Sequence, residues 1–202
     1  ETIDPMWVSE AEVIKGPAAA EYGNGTGGVV LMKGLRPNYM THTIKSSLIM
    51  GSWGYNRLQY AVNVALPIGI NRRQFSLAYV KAGTHGYRDQ EYNNREQVLL
   101  TAHKEVKNLF NWGNRGNDHV IGSNITQFQY HNGHWALPGS LNAKELASNR
   151  KAARPFSLAN DTRLERKRWM MGFGQDRNWN SKWEAIWRLS YQSSIKINPY
   201  GT

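Results

Sequence analysis

Between Arg57 and Leu66 the chain alternates without a break: Leu58, Tyr60, Val62, Val64 and Leu66 take one parity, and Arg57, Gln59, Ala61, Asn63 and Ala65 the other. A repeat of two places successive side chains on opposite faces of a β-strand, so this segment reads as a strand with one apolar face. Lys182 to Gln192 repeats the design, with Trp183, Ala185, Trp187, Leu189 and Tyr191 set against Lys182, Glu184, Arg188, Ser190 and Gln192. Weaker alternation marks Thr43 to Met50, Gln74 to Val80, Val98 to Val106, Val120 to Tyr130 and Arg168 to Gly174. The pattern predicts an all-β chain with about seven strands.

The connections alternate as well. Leu66 to Arg73, Asn108 to Asp118 and Gln175 to Ser181 read as short turns, Gly83 to Asn94 and His131 to Thr162 as longer loops, and Gly51 to Asn56 as a short link that departs from the rule. Short turns on one side and long loops on the other fit an antiparallel transmembrane barrel, whose strands need about ten residues to cross. A soluble antiparallel sheet or sandwich gives the same periodicity. Periodicity alone leaves both open, the second being a soluble β-rich binding protein.

Composition narrows the field. The absence of cysteine among 202 residues excludes disulfides and thiolate metal sites. No apolar run reaches 18 residues, and the mean hydropathy of −0.62 predicts no transmembrane helix. No signal segment precedes Glu1, so an exported protein would have lost it. A net charge of +10 with eight Trp and ten Tyr raises nucleic-acid binding. The densest basic group, Arg163, Arg166, Lys167 and Arg168, is interrupted by Glu165 and has no accompanying nucleic-acid motif. These cations are expected at loop ends or membrane interfaces, with no nucleic acid as partner.

Glu12 to Met32 has a different grammar. Val13 and Ile14 favour a short buried strand, Gly16-Pro17 breaks it, Ala18 to Glu21 suits one helical turn, and Gly23, Gly25, Gly27 and Gly28 permit left-handed backbone before Val29 to Met32 resumes as a strand. Gly23, Gly25 and Gly28 also match the dinucleotide-binding glycine spacing. That fingerprint needs a strand before the glycines and a helix after them. The order here is the reverse.

This stretch resembles the closing segment of the plug in TonB-dependent outer-membrane receptors, which reads Ile-Glu-Val-Ile-Lys-Gly-Pro, four variable residues, Tyr-Gly and a glycine-rich run ending Gly-Gly-Val. Ala11 to Val29 follows it, with Ala11 in place of isoleucine and a slightly shorter glycine loop. Gly51 to Asn56 resembles the first hairpin of such barrels, Ala65 to Gly69 the next periplasmic turn, and Gly86-Tyr87-Arg88-Asp89 the second outer loop. Phe128 to His131 with Trp135 to Leu141 is similar to an outer loop of ferric-citrate and ferric-siderophore receptors of Bacteroidetes-like type. The Lys-Gly-Pro form sets the chain apart from the polysaccharide-importing branch, whose plugs usually read Lys-Asp-Ala.

The resemblance implies a partial transmembrane β-barrel at 38–202 preceded by the C-terminal part of a plug domain at 1–37. Receptors of this family have about 22 strands around a plugged lumen, so the chain is expected to be a fragment that neither transports nor sits stably in a bilayer alone. For the whole receptor it implies import of a ferric siderophore or similar metal chelate across the Gram-negative outer membrane. The energy comes from a TonB-type complex acting through a plug segment absent here, with no chemistry on the ligand, no catalytic residues, no cofactor and no resident metal. Anionic chelates favour Arg, Tyr, Trp and His around a vestibule. The candidates are Tyr87 and Arg88 in the second outer loop, and Tyr130, His131, His134, Trp135, Arg150, Lys151 and Arg154 in the third. The plug motif contributes Glu10, Glu12, Lys15, Gly16, Pro17, Tyr22, Gly23, Gly27 and Gly28, with Lys15 expected to latch to carboxylates of the barrel wall.

Overall fold

The computed structural model describes residues 3–16, 27–34, 39–68, 71–107, 120–180 and 183–198. The chain divides into two compact units, Glu1–Asn38 and Tyr39–Thr202. The first is a ribbon of β1 (Val8–Ile14) and β2 (Val29–Gly34), paired antiparallel with a bulge between Val8 and Glu10. Asp4 caps the 3-10 turn Pro5–Trp7 that leads into β1, its carboxylate accepting from the Met6 amide at 3.0 Å. Glu10 and Lys33, partners in the ladder, form a half-exposed ion pair at 2.9 Å. Such a pair contributes at most about 1 kcal/mol. The chain re-enters the ribbon at Gly28, whose φ of +137 and approach to the Ile14 carbonyl, 2.7 Å from where a Cβ would stand, exclude other residues. The expected buried strand at Val13 and Ile14 forms, but the structure corrects its burial: Val13 is 61% exposed, because a two-stranded ribbon leaves both its faces open. Pro17, Tyr22, Gly23 and the expected helical turn lie outside the described residues.

The second unit is a seven-stranded antiparallel meander in chain order. Its strands are β3 (Thr43–Met50), β4 (Asn56–Ile68), β5 (Asn71–Thr84), β6 (Asn93–Lys107), β7 (Val120–Ala136), β8 (Arg163–Asn180) and β9 (Trp183–Ile197). All seven expected strands are present, and most run several residues past the apolar alternation that revealed them. The loops shorten accordingly, to 85–92 and 137–162, and two residues separate β4 from β5 and β8 from β9; the expected turn at 108–118 lies outside the described residues. Among the described residues no ladder joins β3 to β9, so the sheet is open at both edges. The long third loop carries two short helices that alternation does not reveal, α1 (Ala143–Ser148) and α2 (Pro155–Ala159). No described helix is long and apolar enough to cross a membrane, which leaves crossing by strands untouched.

Pairing aligns the alternation of all seven strands, and the resulting sheet is the reverse of an ordinary one. Its apolar face carries the rows Val62, Leu77, Leu100, Phe128, Met171, Tyr191 and Val64, Phe75, Ala102, Thr126, Phe173, Leu189. Even on central strands these side chains are exposed, Leu77 and Leu100 at 43%. The polar face is the buried one. Gln97 is 0% exposed and His131 1%, beside the small residues Ala61, Ala78 and Ala82. Soluble sheets bury the apolar side and solvate the polar side.

Candidate functional site

The apolar face is bounded. Toward the long loops it ends in a nearly continuous aromatic row, Tyr60, Tyr79, Val98, Tyr130 and Trp169, followed by a row that is polar on β5 to β8, Lys81, Glu96, Asn132 and Lys167, and apolar on β4 and β9, Leu58 and Ile195. The Tyr79 hydroxyl donates to Glu96 at 2.9 Å, joining the two rows. Toward the short turns it ends on β5 to β8 at Arg73, Lys104, Asn124 and Gln175, while the same row is still apolar at Leu66 on β4 and Trp187 on β9. From Lys81 to Arg73 is eight residues, about 27 Å along the strand. On β8 and β9 the aromatics interlock diagonally, Trp169 with Tyr191 and Phe173 with Trp187, each pair at 5.1 Å between centroids.

The polar face is polarised in charge. Just inside the loop-side row of Thr84, Asn93, Trp135 and Leu164, one row reads Ile49, Arg57, Ala82, Arg95, Gly133, Arg166, Lys196, and the next reads Ser47, Gln59, Val80, Gln97, His131, Arg168, Ser194. Adjacent strands are about 4.8 Å apart, which places Arg166 directly across from Lys196 and Arg95 two strands from Arg166. Like charges in direct opposition cost up to about 1 kcal/mol, so stability does not favour this arrangement. Among the described residues the carboxylates of this face, Glu105, Asp176 and Glu184, all lie toward the short turns. Two of them pair there with cations, Arg188 with Asp176 at 2.6 Å and Arg72 with Glu105 at 3.9 Å.

Within the cationic half, Gln97 and His131 face each other across β6 and β7 with a 2.8 Å hydrogen bond, and His131 stacks with Trp135 at 6.1 Å. Trp135 lies over Gly133, where a Cβ would collide with the indole and stand 2.9 Å from His131 Nε2. The buried Gln97 Oε1 and His131 Nε2 have no protein partner, leaving hydrogen-bonding capacity on this wall for water or a polar ligand.

Above this wall the three loops bind one another. The 51–55 link turns through Trp53 at φ 61, and its carbonyl accepts from the His85 amide at 2.9 Å and the Thr84 hydroxyl at 3.1 Å. Glu91 folds the second loop by accepting from the Tyr87 and Arg88 amides. Arg88 in turn donates through Nε and Nη2 to the Ala152 carbonyl, and the Asp89 amide donates to the Lys151 carbonyl at 2.7 Å. The third loop is closed at its base by Leu137 and Thr162, bonded through both backbone and hydroxyl. An Asn142–Glu145 capping box starts α1, and Pro155 begins α2. At the loop surface Trp53 and Tyr87 meet edge to face at 4.9 Å, with the Lys151 ammonium 5.6 and 5.9 Å from their rings.

The expected ligand residues therefore separate into three places. Tyr87 and Lys151 come together, joined by Trp53, which sequence reading missed. Arg88 is a staple between loops, Arg150 lies in an exposed turn, and Arg154 covers Phe156 at 5.8 Å. His131, His134 and Trp135 are corrected from loop to strand, because β7 runs to Ala136, and Tyr130 lies in that strand as the alternation from Val120 to Tyr130 predicts. His131 and Trp135 take the polar face, Tyr130 and His134 the apolar one. His131 and His134 thus point to opposite sides and share no ligand; His134 Nε2 instead lies 3.2 Å from the Tyr92 hydroxyl. Burial raises the Tyr92 phenol above its usual pKa, keeping that proton in place. The basic group at 163–168 is split the same way, Arg163 and Lys167 to the apolar side and Arg166 and Arg168 to the polar side. Arg57, Arg95 and Lys196 entered no sequence-based site, since only register aligns them. No protein-family model matches the chain, and no protein of curated function matches it.

Proposed function

We propose that residues 38–202 are the first strands of the barrel of a TonB-dependent outer-membrane receptor for a ferric siderophore or similar anionic metal chelate, and residues 1–37 the end of its plug. The observation that carries this reading is the inverted sheet. An exposed apolar band edged by aromatic and then charged rows is what a lipid-facing wall requires, since the hydrocarbon layer takes the apolar side and rings with polar tips settle at its boundary. At a strand tilt of about 40° the band is roughly 20 Å deep, near the ~25 Å of outer-membrane barrels once Lys and Arg reach outward. Open edges at β3 and β9 are untenable in lipid, where unpaired backbone groups cost several kcal/mol each, so further strands complete the wall.

On this reading the polar face lines the lumen and its cationic half lies beneath the outer loops. Arg57, Arg95, Arg166, Arg168 and Lys196 draw an anionic chelate inward, and the Trp53–Tyr87–Lys151 cluster meets it first. Hydrogen bonds to charged groups contribute about 1.5–3 kcal/mol each. Arg95→Gln combined with Arg166→Gln in the protein as its own gene encodes it is therefore expected to weaken a ferric tricarboxylate complex at least tenfold in a titration. A neutral ferric chelate should be unaffected. Equal affinities for the anionic complex before and after would remove the cationic rows from the site.

A further inference from the structure

Gly133 marks a niche in the polar wall. It sits on β7 directly between Arg95 of β6 and Arg166 of β8, its partners in the two ladders, each strand about 4.8 Å away. No left-handed φ asks for glycine here; the space does. A Cβ would collide with the Trp135 indole and stand 2.9 Å from His131 Nε2. Trp135 thus reaches back along its own strand, lies across the niche and stacks on His131, while part of its own surface stays open.

Beneath the indole the imidazole is set as a donor. The Gln97 amide nitrogen only donates, so their 2.8 Å bond makes His131 Nδ1 the acceptor and leaves the ring proton on Nε2. His131 is 1% exposed, and this buried Nε2–H has no protein partner. A buried donor without a partner is costly and calls for an acceptor. With a guanidinium side chain on either side of Gly133, the acceptor that fits is an anionic oxygen.

We infer that Trp135 is a lid over an anion niche: one uncoordinated carboxylate of the chelate displaces the indole, sits above Gly133 between Arg95 and Arg166, and accepts from His131 Nε2–H. Gln97 acts through His131 and is a positioning residue. The inference rests on the anionic-chelate reading and adds to it a selection for chelates that carry a free carboxylate.

The test titrates a ferric tricarboxylate complex, and a neutral ferric chelate beside it, into the full protein. His131→Phe keeps a ring under the indole but removes the donor, and should weaken the anionic complex about tenfold or more. His131→Gln returns an amide N–H near Nε2 and should recover binding to within about threefold of wild type. Gly133→Ala keeps every donor yet should cost as much as His131→Phe, since its methyl takes the carboxylate's place. The neutral chelate, whose binding a misfolded wall would lose, should bind all three variants as it binds wild type. For the lid itself, the protein carries 5-fluorotryptophan and the Trp135 resonance is assigned by its loss in Trp135→Phe. The diamagnetic gallium tricarboxylate complex should move that resonance and enlarge its solvent isotope shift. A resonance left in place, wild-type affinity in His131→Phe or Gly133→Ala, or no recovery in His131→Gln overturns the proposal. If Arg95→Gln with Arg166→Gln weakens the anionic complex and His131→Phe does not, this site alone falls. If wild type does not bind the anionic complex, the chelate reading falls and the site with it.

Discussion

Leu77 stands midway between the charged boundaries of the apolar face, four residues from Lys81 and four from Arg73 on β5. At about 3.4 Å per residue it lies roughly 14 Å along the strand from either, or about 10 Å in depth at a 40° tilt. Leu77→Arg therefore puts a guanidinium at the centre of the band. If the band meets hydrocarbon, the cost is about 2–4 kcal/mol, a roughly 30- to 700-fold loss in the folded-to-unfolded ratio. If the face meets water, a side chain already 43% exposed tolerates arginine within about 0.5 kcal/mol. The assay is the denaturant midpoint of the full-length protein refolded into vesicles, read by tryptophan fluorescence. The same substitution made at the boundary, Lys81→Arg, should change little. A Leu77→Arg midpoint indistinguishable from wild type would refute the lipid-facing argument.

Three further variants probe separate parts of the structure. Tyr79→Phe removes the hydroxyl bonded to Glu96 and should destabilise the folded protein by about 1 kcal/mol in the same assay. Gly122→Ala should cost about 3 kcal/mol or more and slow refolding, because its φ is +156 and the new Cβ would press onto the Asp176 carbonyl; a wild-type midpoint would mean that β7 and β8 do not approach there as described. Arg150→Ala with Arg154→Ala should lower chelate affinity less than the Arg95 and Arg166 pair, since both lie on the loop surface; a larger loss would move the site from the wall to the third loop.

What the sequence disclosed, and what it withheld, follows from where apolar residues lie. Strands were visible wherever one face is apolar, as at Leu58 to Leu66 or Trp169 to Phe173. Their ends were invisible because beyond the band both faces are polar, as at Asn93 to Gln97 and His131 to His134, while the backbone ladder continues regardless of side chain. That is why three ligand candidates of the expected loop, His131, His134 and Trp135, belong to β7. The capping box at Asn142 and Glu145 was a legible helix signal inside the third loop and went unread. The cationic rows were not legible at all: Arg57, Arg95, Arg166 and Lys196 are spread over 140 positions of sequence, and only the register of β4 through β9 aligns them.

The central claim is that the apolar face meets lipid and the polar face water. Single spin labels placed in turn from Arg73 to Lys81 of the full protein in vesicles test it directly, with oxygen as the apolar relaxant and a nickel chelate as the aqueous one. The account predicts a period of two, with labels at Phe75, Leu77 and Tyr79 favouring oxygen and labels at Gln74, Ser76, Ala78 and Val80 not, and the strongest oxygen preference at Leu77. A flat profile, or nickel access at Leu77 equal to that at Ser76, would contradict it.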